Sequence, residues 1–143
     1  MRKEYGEKVE FVVVYIREAH ALDGASPRGV GGDQPIVEEP LTFGERLGVA
    51  QRCDARLDLS AFTVVIDDIK DTTSAAYAAH PDRLYLVGKE GRIAFAGGPG
   101  PREFSAPELE DAIREELGME PLEREEEPES GGRRERPFGR RPR

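Results

Sequence analysis

An unbroken apolar run near the start of the chain most constrains what the sequence can fold into. Residues 11–16 read Phe-Val-Val-Val-Tyr-Ile, and the chain turns polar over residues 17–24. A continuous β-branched run of this length indicates a strand buried on both faces, as in a sheet covered by helices. In open α/β sheets, ligand and catalytic groups cluster beyond the carboxyl ends of such strands. That end carries the polar groups of Tyr15, Glu18 and His20, although an ordinary strand followed by a polar loop is an open alternative.

The remaining sequence predicts helices and further strands in alternation. Thr42 and Glu45 have the spacing of a capping box, which predicts a helix over residues 43–53. The further predicted elements are a strand at residues 62–66, a short helix at 72–79, a hairpin of strands at 84–87 and 93–96, and a helix that begins at the Ser105/Glu108 pair and ends before Gly118. The order β-α-β-α-β-β-α indicates an α/β fold.

Two segments lie outside these elements. Residues 25–40 are rich in glycine, proline and charge and are interpreted as a long surface loop. From residue 119 the chain is acidic and then, from residue 131, basic, with almost nothing to bury. The sequence therefore predicts one folded domain over residues 1–118 and a disordered charged tail over residues 119–143.

The composition of the chain limits which kinds of partner the protein can bind and in which cellular compartment it is expected. The net charge of −8 over 143 residues argues against nucleic acid or an anionic membrane as the main partner. No apolar run approaches the length of about 20 residues that a membrane span needs, and no signal peptide is visible. With one cysteine, Cys53, neither an internal disulfide nor a Cys-x-x-Cys pair can form. The two histidines and this cysteine are too widely separated to predict a metal site. A cytoplasmic location is the default expectation.

Several segments resemble the iodothyronine deiodinase family. Residues 15–24 read Tyr-Ile-Arg-Glu-Ala-His-Ala-Leu-Asp-Gly, which is similar to that family's Tyr-Ile-x-Glu-Ala-His-x-x-Asp-Gly segment. The resemblance returns at residues 71–77, 81–87, 91–93 and 97–101, and covers roughly residues 4–117 in order and spacing. It implies a thioredoxin-like fold with a peroxiredoxin-type insertion, and a thiol- or selenol-based redox lineage.

The resemblance also implies roles for four side chains. Tyr15, Glu18 and His20 match the family's proton-relay and substrate-contacting positions, and Arg83 matches an arginine that clamps substrate. The chemistry is reasonable, because histidine titrates near neutral pH and a neighbouring glutamate can orient it and raise its pKa. Arg83 can reach an anionic or phenolate group. Purely structural roles stay open for three of these residues. Tyr15 can be a strand residue whose hydroxyl forms a hydrogen bond at the end of the sheet, and Glu18 and Arg83 can pair with each other or with solvent.

The family's nucleophile has no counterpart in this sequence. By resemblance, a selenocysteine or cysteine stands at the start of a helix that leads into the strand at residues 11–16, and only residues 1–8 precede that strand. We therefore expect this chain to lack the N-terminal strand–helix unit. Cys53 does not replace the nucleophile, because it lies near the C-terminal end of a predicted helix, where the dipole disfavours a thiolate.

Three hypotheses for function follow. The first is a deiodinase-like oxidoreductase of the thyroxine 5'-deiodinase type, acting on a phenolic or thiol substrate with an external thiol reductant and no bound cofactor. The second is a non-catalytic module that binds a small molecule or protein and retains the substrate side of the pocket. The third is a truncated product without function. The apolar surface left by a missing strand and helix predicts a capacity to self-associate as a homodimer.

Overall fold

The computed structural model describes residues 1–24 and 37–123. Along these residues the elements are α1 (Arg2–Tyr5), β1 (Val12–Tyr15), α2 (Phe43–Leu57), a 3-10 turn (Leu59–Ala61), β2 (Thr63–Ile66), α3 (Thr72–Ala76), β3 (Tyr85–Val87), β4 (Ile93–Ala96) and α4 (Ala106–Glu116). The predicted order of elements is confirmed, with α1 added before the first strand. Most of the predicted surface loop and residues 124–143 of the predicted tail lie outside the described residues.

The four described strands form two separate two-stranded sheets. β1 and β2 are parallel, and β3 and β4 are antiparallel with an irregularity between Leu86 and Val87. α2 makes the crossover that a parallel pair requires. The mixed α/β class is therefore confirmed, whereas the thioredoxin-like arrangement of the strands stays a prediction.

The prediction that the first strand is buried on both faces is wrong. Side chains alternate along β1 between exposed and half-buried, and Val12 and Val14 are 51% and 40% exposed. The reason is tertiary: β1 has a partner strand on one side only, and these two valines line an open cavity of about 900 Å³.

The largest cluster of buried apolar residues joins both ends of the described chain. Tyr5, Leu86, Leu109 and Ile113 form it, and Met119 packs against it. The four buried residues of the cluster come from α1, β3 and α4. The cluster therefore packs the N-terminal helix and the C-terminal helix against the β3–β4 hairpin. Met119 is the first residue of the predicted tail, and the domain boundary at residue 118 stays a prediction. No helix among the described residues is both long enough and apolar enough to span a bilayer.

Local signals account well for where α2 begins. The Thr42 hydroxyl accepts a hydrogen bond from the Glu45 backbone N–H (3.3 Å), and the Glu45 carboxylate accepts one from the Thr42 N–H (2.9 Å). This confirms the predicted capping box. The helix continues past the predicted end at Cys53 to Leu57, and it ends at Asp58, whose φ of 50° lies in the left-handed region.

Candidate functional site

Two of the candidate side chains meet just beyond the carboxyl end of β1. The Tyr15 hydroxyl donates a hydrogen bond to the Glu18 carboxylate. Tyr15 is the last residue of the strand, and Glu18 lies three positions on, in the loop that follows. The structure therefore brings together two of the side chains predicted from the sequence, at the sheet edge where the prediction put them.

The environment of Glu18 favours its protonated form. Burial raises the pKa of Glu18, and the negative charge of Glu39 raises it further, while Arg46 and His20 act in the opposite direction. The carboxyl group therefore keeps its proton to a higher pH than an exposed glutamate does. A carboxylic acid that holds a proton in this way, next to a phenol, is suited to general acid–base chemistry.

A buried arginine, Arg46, lies next to Glu18 and pairs with the acidic residues around it. It is 1% exposed, and its guanidinium pairs with Glu39 (3.3 Å) and Asp71 (2.8 Å) and donates to the Asp68 carbonyl (2.6 Å). The other Glu39 oxygen accepts the backbone N–H of Glu18 (3.0 Å). Arg46 is thus linked through Glu39 to the main chain of Glu18, and it holds together α2, the loop before α2 and the loop after β2.

These groups line a cavity of about 510 Å³. Glu18, Glu39, Arg46 and Asp71 all contribute to its wall, together with His80. The Nδ1 atom of His80 is buried, and none of the described residues forms a hydrogen bond to it. Burial and the positive charge of Arg17 lower the pKa of His80. The cavity therefore presents carboxylates, a guanidinium and an imidazole that favours its neutral form.

His20 and Arg83 occupy different surroundings. His20 is exposed, and it lies close enough to Glu18 to lower the pKa of that carboxyl group. Arg83 donates to the carbonyls of Gly97 (2.6 Å) and Ala78 (3.3 Å) and lies over the Tyr85 ring, 5.6 Å from its centre. It lines a second, larger cavity rather than the one lined by Glu18. Convergence of all four predicted residues on one pocket stays a prediction.

The environment of Cys53 opposes its ionisation. The thiol is partly buried on α2, and burial together with the negative charges of Glu18 and Asp54 raises its pKa. A raised pKa leaves little thiolate at neutral pH, and the thiolate is the nucleophilic form. The interpretation of Cys53 as a poor nucleophile is therefore supported by its surroundings.

Sequence reasoning missed Arg46, Glu39 and Asp71. A signal for Arg46 was present, because it lies three and four positions before Val49 and Ala50, the two other buried residues of α2. A charged residue on the apolar stripe of a helix predicts a buried ion pair. No comparable pattern marks Glu39 or Asp71, since their role depends on where Arg46 lies in space.

Comparison with known proteins places the chain in a family. The family model of iodothyronine deiodinases matches residues 1–116. The chain is 34% identical over 113 residues to a thyroxine 5-deiodinase of Sparus aurata, covering 78% of this chain and 40% of that protein. It is 32% identical over 107 residues to the thyroxine 5-deiodinase of Homo sapiens, covering 74% and 33% respectively. The chain therefore belongs to the iodothyronine deiodinase family of oxidoreductases, and it spans about a third to two fifths of the length of these relatives.

Proposed function

We propose that this chain forms the proton-handling and substrate-binding side of a deiodinase-type oxidoreductase that removes iodine from an iodinated phenol such as thyroxine. The observation that carries the proposal is the hydrogen bond from Tyr15 to Glu18, a carboxyl group with a raised pKa, in a member of the deiodinase family. The relatives' names specify thyroxine, and an iodinated phenol is the substrate class that this family chemistry implies.

The proposed reaction replaces a carbon–iodine bond with a carbon–hydrogen bond. Two thiols are oxidised to a disulfide and supply two electrons, the ring carbon gains a proton, and iodide leaves with the remaining proton released to solvent. A selenolate or thiolate takes the iodine, and an external thiol regenerates it. The raised pKa of Cys53 disfavours the nucleophilic thiolate. By the family resemblance, we therefore assign the nucleophile to a strand–loop–helix unit of a thioredoxin-like arrangement outside residues 1–143.

Within this scheme the residues of this chain handle the proton and the ligand. Glu18 holds a proton, Tyr15 and His20 exchange protons with it, and Arg83 attracts the phenolate or carboxylate of the substrate. Binding without turnover is the second candidate function. The raised pKa of Cys53 favours it for residues 1–143 by themselves, because binding needs only charge and shape.

Calorimetric titration with thyroxine tests the proposal on the chain as it exists. We expect saturable binding that weakens about tenfold in His20→Ala and in Arg83→Ala, since loss of one charged contact is worth about 1.4 kcal/mol. Arg92→Ala, in the exposed turn between β3 and β4, is the control and should leave the affinity unchanged. Absence of binding, or equal affinity in all three variants, would contradict the assignment of these residues to the substrate side.

A further inference from the structure

The smaller cavity, of about 510 Å³, is lined by two residues that each have a buried nitrogen atom without a hydrogen bond. These atoms are Nδ1 of His80 and Nε of Arg46, and none of the described residues pairs with either. Buried polar groups in native proteins are nearly always hydrogen-bonded. Two such atoms in the lining of one cavity therefore indicate a ligand that carries polar groups of its own.

The two nitrogen atoms need opposite partners. A guanidinium N–H can only donate, so Nε of Arg46 needs an acceptor. Burial and the positive charge of Arg17 lower the pKa of His80, so the imidazole favours its neutral form, which can present Nδ1 as an acceptor. A ligand that pairs with both atoms therefore carries an acceptor for Arg46 and a donor for His80.

The wall of this cavity also carries one cation and one anion outside the ion pairs. Glu39 and Asp71 both pair with Arg46. Arg17 and Asp23 line the cavity as well, but they are exposed, and neither forms an ion pair with another residue in the ranges 1–24 and 37–123. A ligand of one sign is attracted by one of these two side chains and repelled by the other, whereas a zwitterion is attracted by both.

Part of the wall is apolar. Pro40, Leu41 and Ile69 line the cavity, and Leu41 is 80% exposed. Sites for small molecules combine apolar side chains with a few polar groups that orient the ligand, and they enclose roughly 300–1,000 Å³. The volume of about 510 Å³ lies within this range. The ligand that fits such a wall has an apolar body and a polar end with both charges.

We propose that this cavity binds the head group of an α-amino acid with an apolar or aromatic side chain. The ligand's carboxylate pairs with Arg17 and with Nε of Arg46. Its ammonium group pairs with Asp23 and with Nδ1 of His80. The inference goes beyond the proposed function, because a free amino acid can fill the cavity without any iodinated ligand. The family resemblance gives neither Arg17 nor His80 a role, since position 17 is the variable position of the Tyr-Ile-x-Glu segment.

Calorimetric titration with three ligands that share one phenyl ring tests the head group. L-Phenylalanine carries both charges, phenethylamine lacks the carboxylate, and 3-phenylpropanoate lacks the ammonium group. We expect L-phenylalanine to bind about tenfold more tightly than either of the others, because each of them leaves one charged side chain of the wall without a partner. Equal affinities for the three ligands, or no binding of L-phenylalanine up to its solubility limit, would overturn the proposal.

Two substitutions with opposite expected patterns show which side chain holds which end of the ligand. Arg17→Gln should weaken L-phenylalanine and 3-phenylpropanoate about tenfold and leave phenethylamine unchanged, because that amine has no carboxylate. Asp23→Asn should weaken L-phenylalanine and phenethylamine and leave 3-phenylpropanoate unchanged. Its amide oxygen can still accept the backbone N–H of Glu39, as the Asp23 carboxylate does (2.8 Å).

The control for both variants is Arg92→Gln, in the exposed turn between β3 and β4, which should leave all three affinities unchanged. If Arg17→Gln and Asp23→Asn weakened the three ligands equally, the assignment of the two ends would be refuted. An effect of Arg92→Gln as large as that of Arg17→Gln would mean that overall charge attracts the carboxylate, and it would likewise refute the site.

Nitrogen-15 NMR of the histidine side chains gives a readout on the unaltered chain. The chain has two histidines, and only His80 lines the smaller cavity. With L-phenylalanine bound, the Nδ1 resonance of His80 should shift as this atom accepts a hydrogen bond, while the resonances of His20 should change little. A shift confined to His20 would place the ligand elsewhere and overturn the proposal.

Competition with thyroxine distinguishes two sources of the head group. If L-phenylalanine displaces thyroxine, the amino-acid end of thyroxine uses the cavity, and if both bind together, a free amino acid is the occupant. Each result supports the head-group site. If L-phenylalanine binds and thyroxine does not, the proposed function fails and the head-group site stands. If thyroxine binds and L-phenylalanine does not, the head-group site fails and the proposed function stands.

Discussion

At the scale of single residues, Asp67 shows how a buried charge is held by the backbone. It is 3% exposed, and its carboxylate accepts the N–H groups of Asp68 (2.9 Å), Thr73 (2.9 Å) and Ser74 (2.7 Å). Burial acts to raise the pKa of Asp67, but the hydrogen bonds from Ser74, Thr73 and Asp68 outweigh it and the pKa is lowered. Since ionised Asp67 is favoured in the folded state, its stabilisation is present above the unfolded pKa and is lost as the pH falls through the folded pKa.

Asp67→Asn should destabilise the protein by about 1–3 kcal/mol at pH 7, because an amide N–H₂ group would then face a backbone donor. The difference from the unaltered protein should shrink below pH 3.8, the ordinary pKa of the group. Urea unfolding at pH 7 and pH 3 measures both effects. Glu90→Gln, in the exposed hairpin turn, serves as the control and should show neither. A difference of the same size at both pH values would contradict the role of the charge.

Glu18 should show the opposite pH dependence. Burial and Glu39 raise its pKa, so the folded state prefers the protonated carboxyl group. Its contribution is therefore present below the unfolded pKa and is lost as the pH rises through the folded pKa. Compared with Glu18→Gln, the unaltered protein should lose stability as the pH rises above 4.5, the ordinary pKa of the group. Unfolding free energies across this range, with carbon-13 NMR titration of the Glu18 carboxyl, test the sign; a titration midpoint at or below 4.5 would refute it.

At the scale of elements, α2 does more than connect the parallel strands. Its buried face carries Arg46 with Val49 and Ala50. Through Arg46 the helix is tied to Glu39 in the loop before it and to Asp71 in the loop after β2. Three segments that are separate in sequence therefore meet at one guanidinium, and this meeting shapes the cavity beside Glu18.

Arg46→Met should lower the free energy of unfolding by about 3 kcal/mol. The substitution removes the cation that pairs with both Glu39 and Asp71, so it leaves two partly buried carboxylates without a compensating charge. Urea unfolding provides the measurement. Arg52→Met, on the exposed side of the same helix, should change stability by less than about 0.5 kcal/mol.

A triple variant distinguishes charge from packing in this result. Arg46→Met combined with Glu39→Gln and Asp71→Asn removes the uncompensated carboxylates while it keeps the side-chain volumes similar. We expect it to recover more than half of the lost stability. If the triple variant were as unstable as Arg46→Met, lost packing of the arginine side chain would explain the effect instead.

At the scale of the whole molecule, the described residues form two parts, one around each sheet, and the larger cavity is lined by residues of both. The buried cluster of Tyr5, Leu86, Leu109 and Ile113 stabilises the β3–β4 side, while β1 pairs with β2 and β2 packs against α2. The larger cavity lies between these two parts, and the smaller cavity lies beyond the carboxyl end of β1. Glu18 and Arg83 therefore line different cavities of the same fold.

The chain of 143 residues should release no iodide from thyroxine with dithiothreitol as the reductant. The described residues offer one thiol, Cys53, whose raised pKa leaves little of the nucleophilic form. Iodide release measured with a selective electrode, on the unaltered chain and on Cys53→Ser, tests this. Turnover by the unaltered chain that is lost in Cys53→Ser would make Cys53 the nucleophile and would contradict the assignment of the nucleophile to another segment.

Local features of the fold could be predicted from the sequence because they depend on residues a few positions apart. The Thr42 capping box, the side-chain cap by Ser105 at the start of α4 and the order of the elements belong here. The contact between Tyr15 and Glu18 is of the same kind, since three positions separate them at the end of a strand.

Sequence by itself thus determined the order of the elements from β1 onward, the starts of α2 and α4, the family, and the position of Tyr15 and Glu18 at the carboxyl end of β1. Only the tertiary structure decided that Arg46 is buried among carboxylates, that Glu18 and Arg83 line different cavities, and that Val12 and Val14 are exposed. The physical reason is separation along the chain. The apolar stripe of α2 indicates that Arg46 is buried, but its partners lie 7 and 25 residues away, and which carboxylates pair with it depends on which segments come together in space.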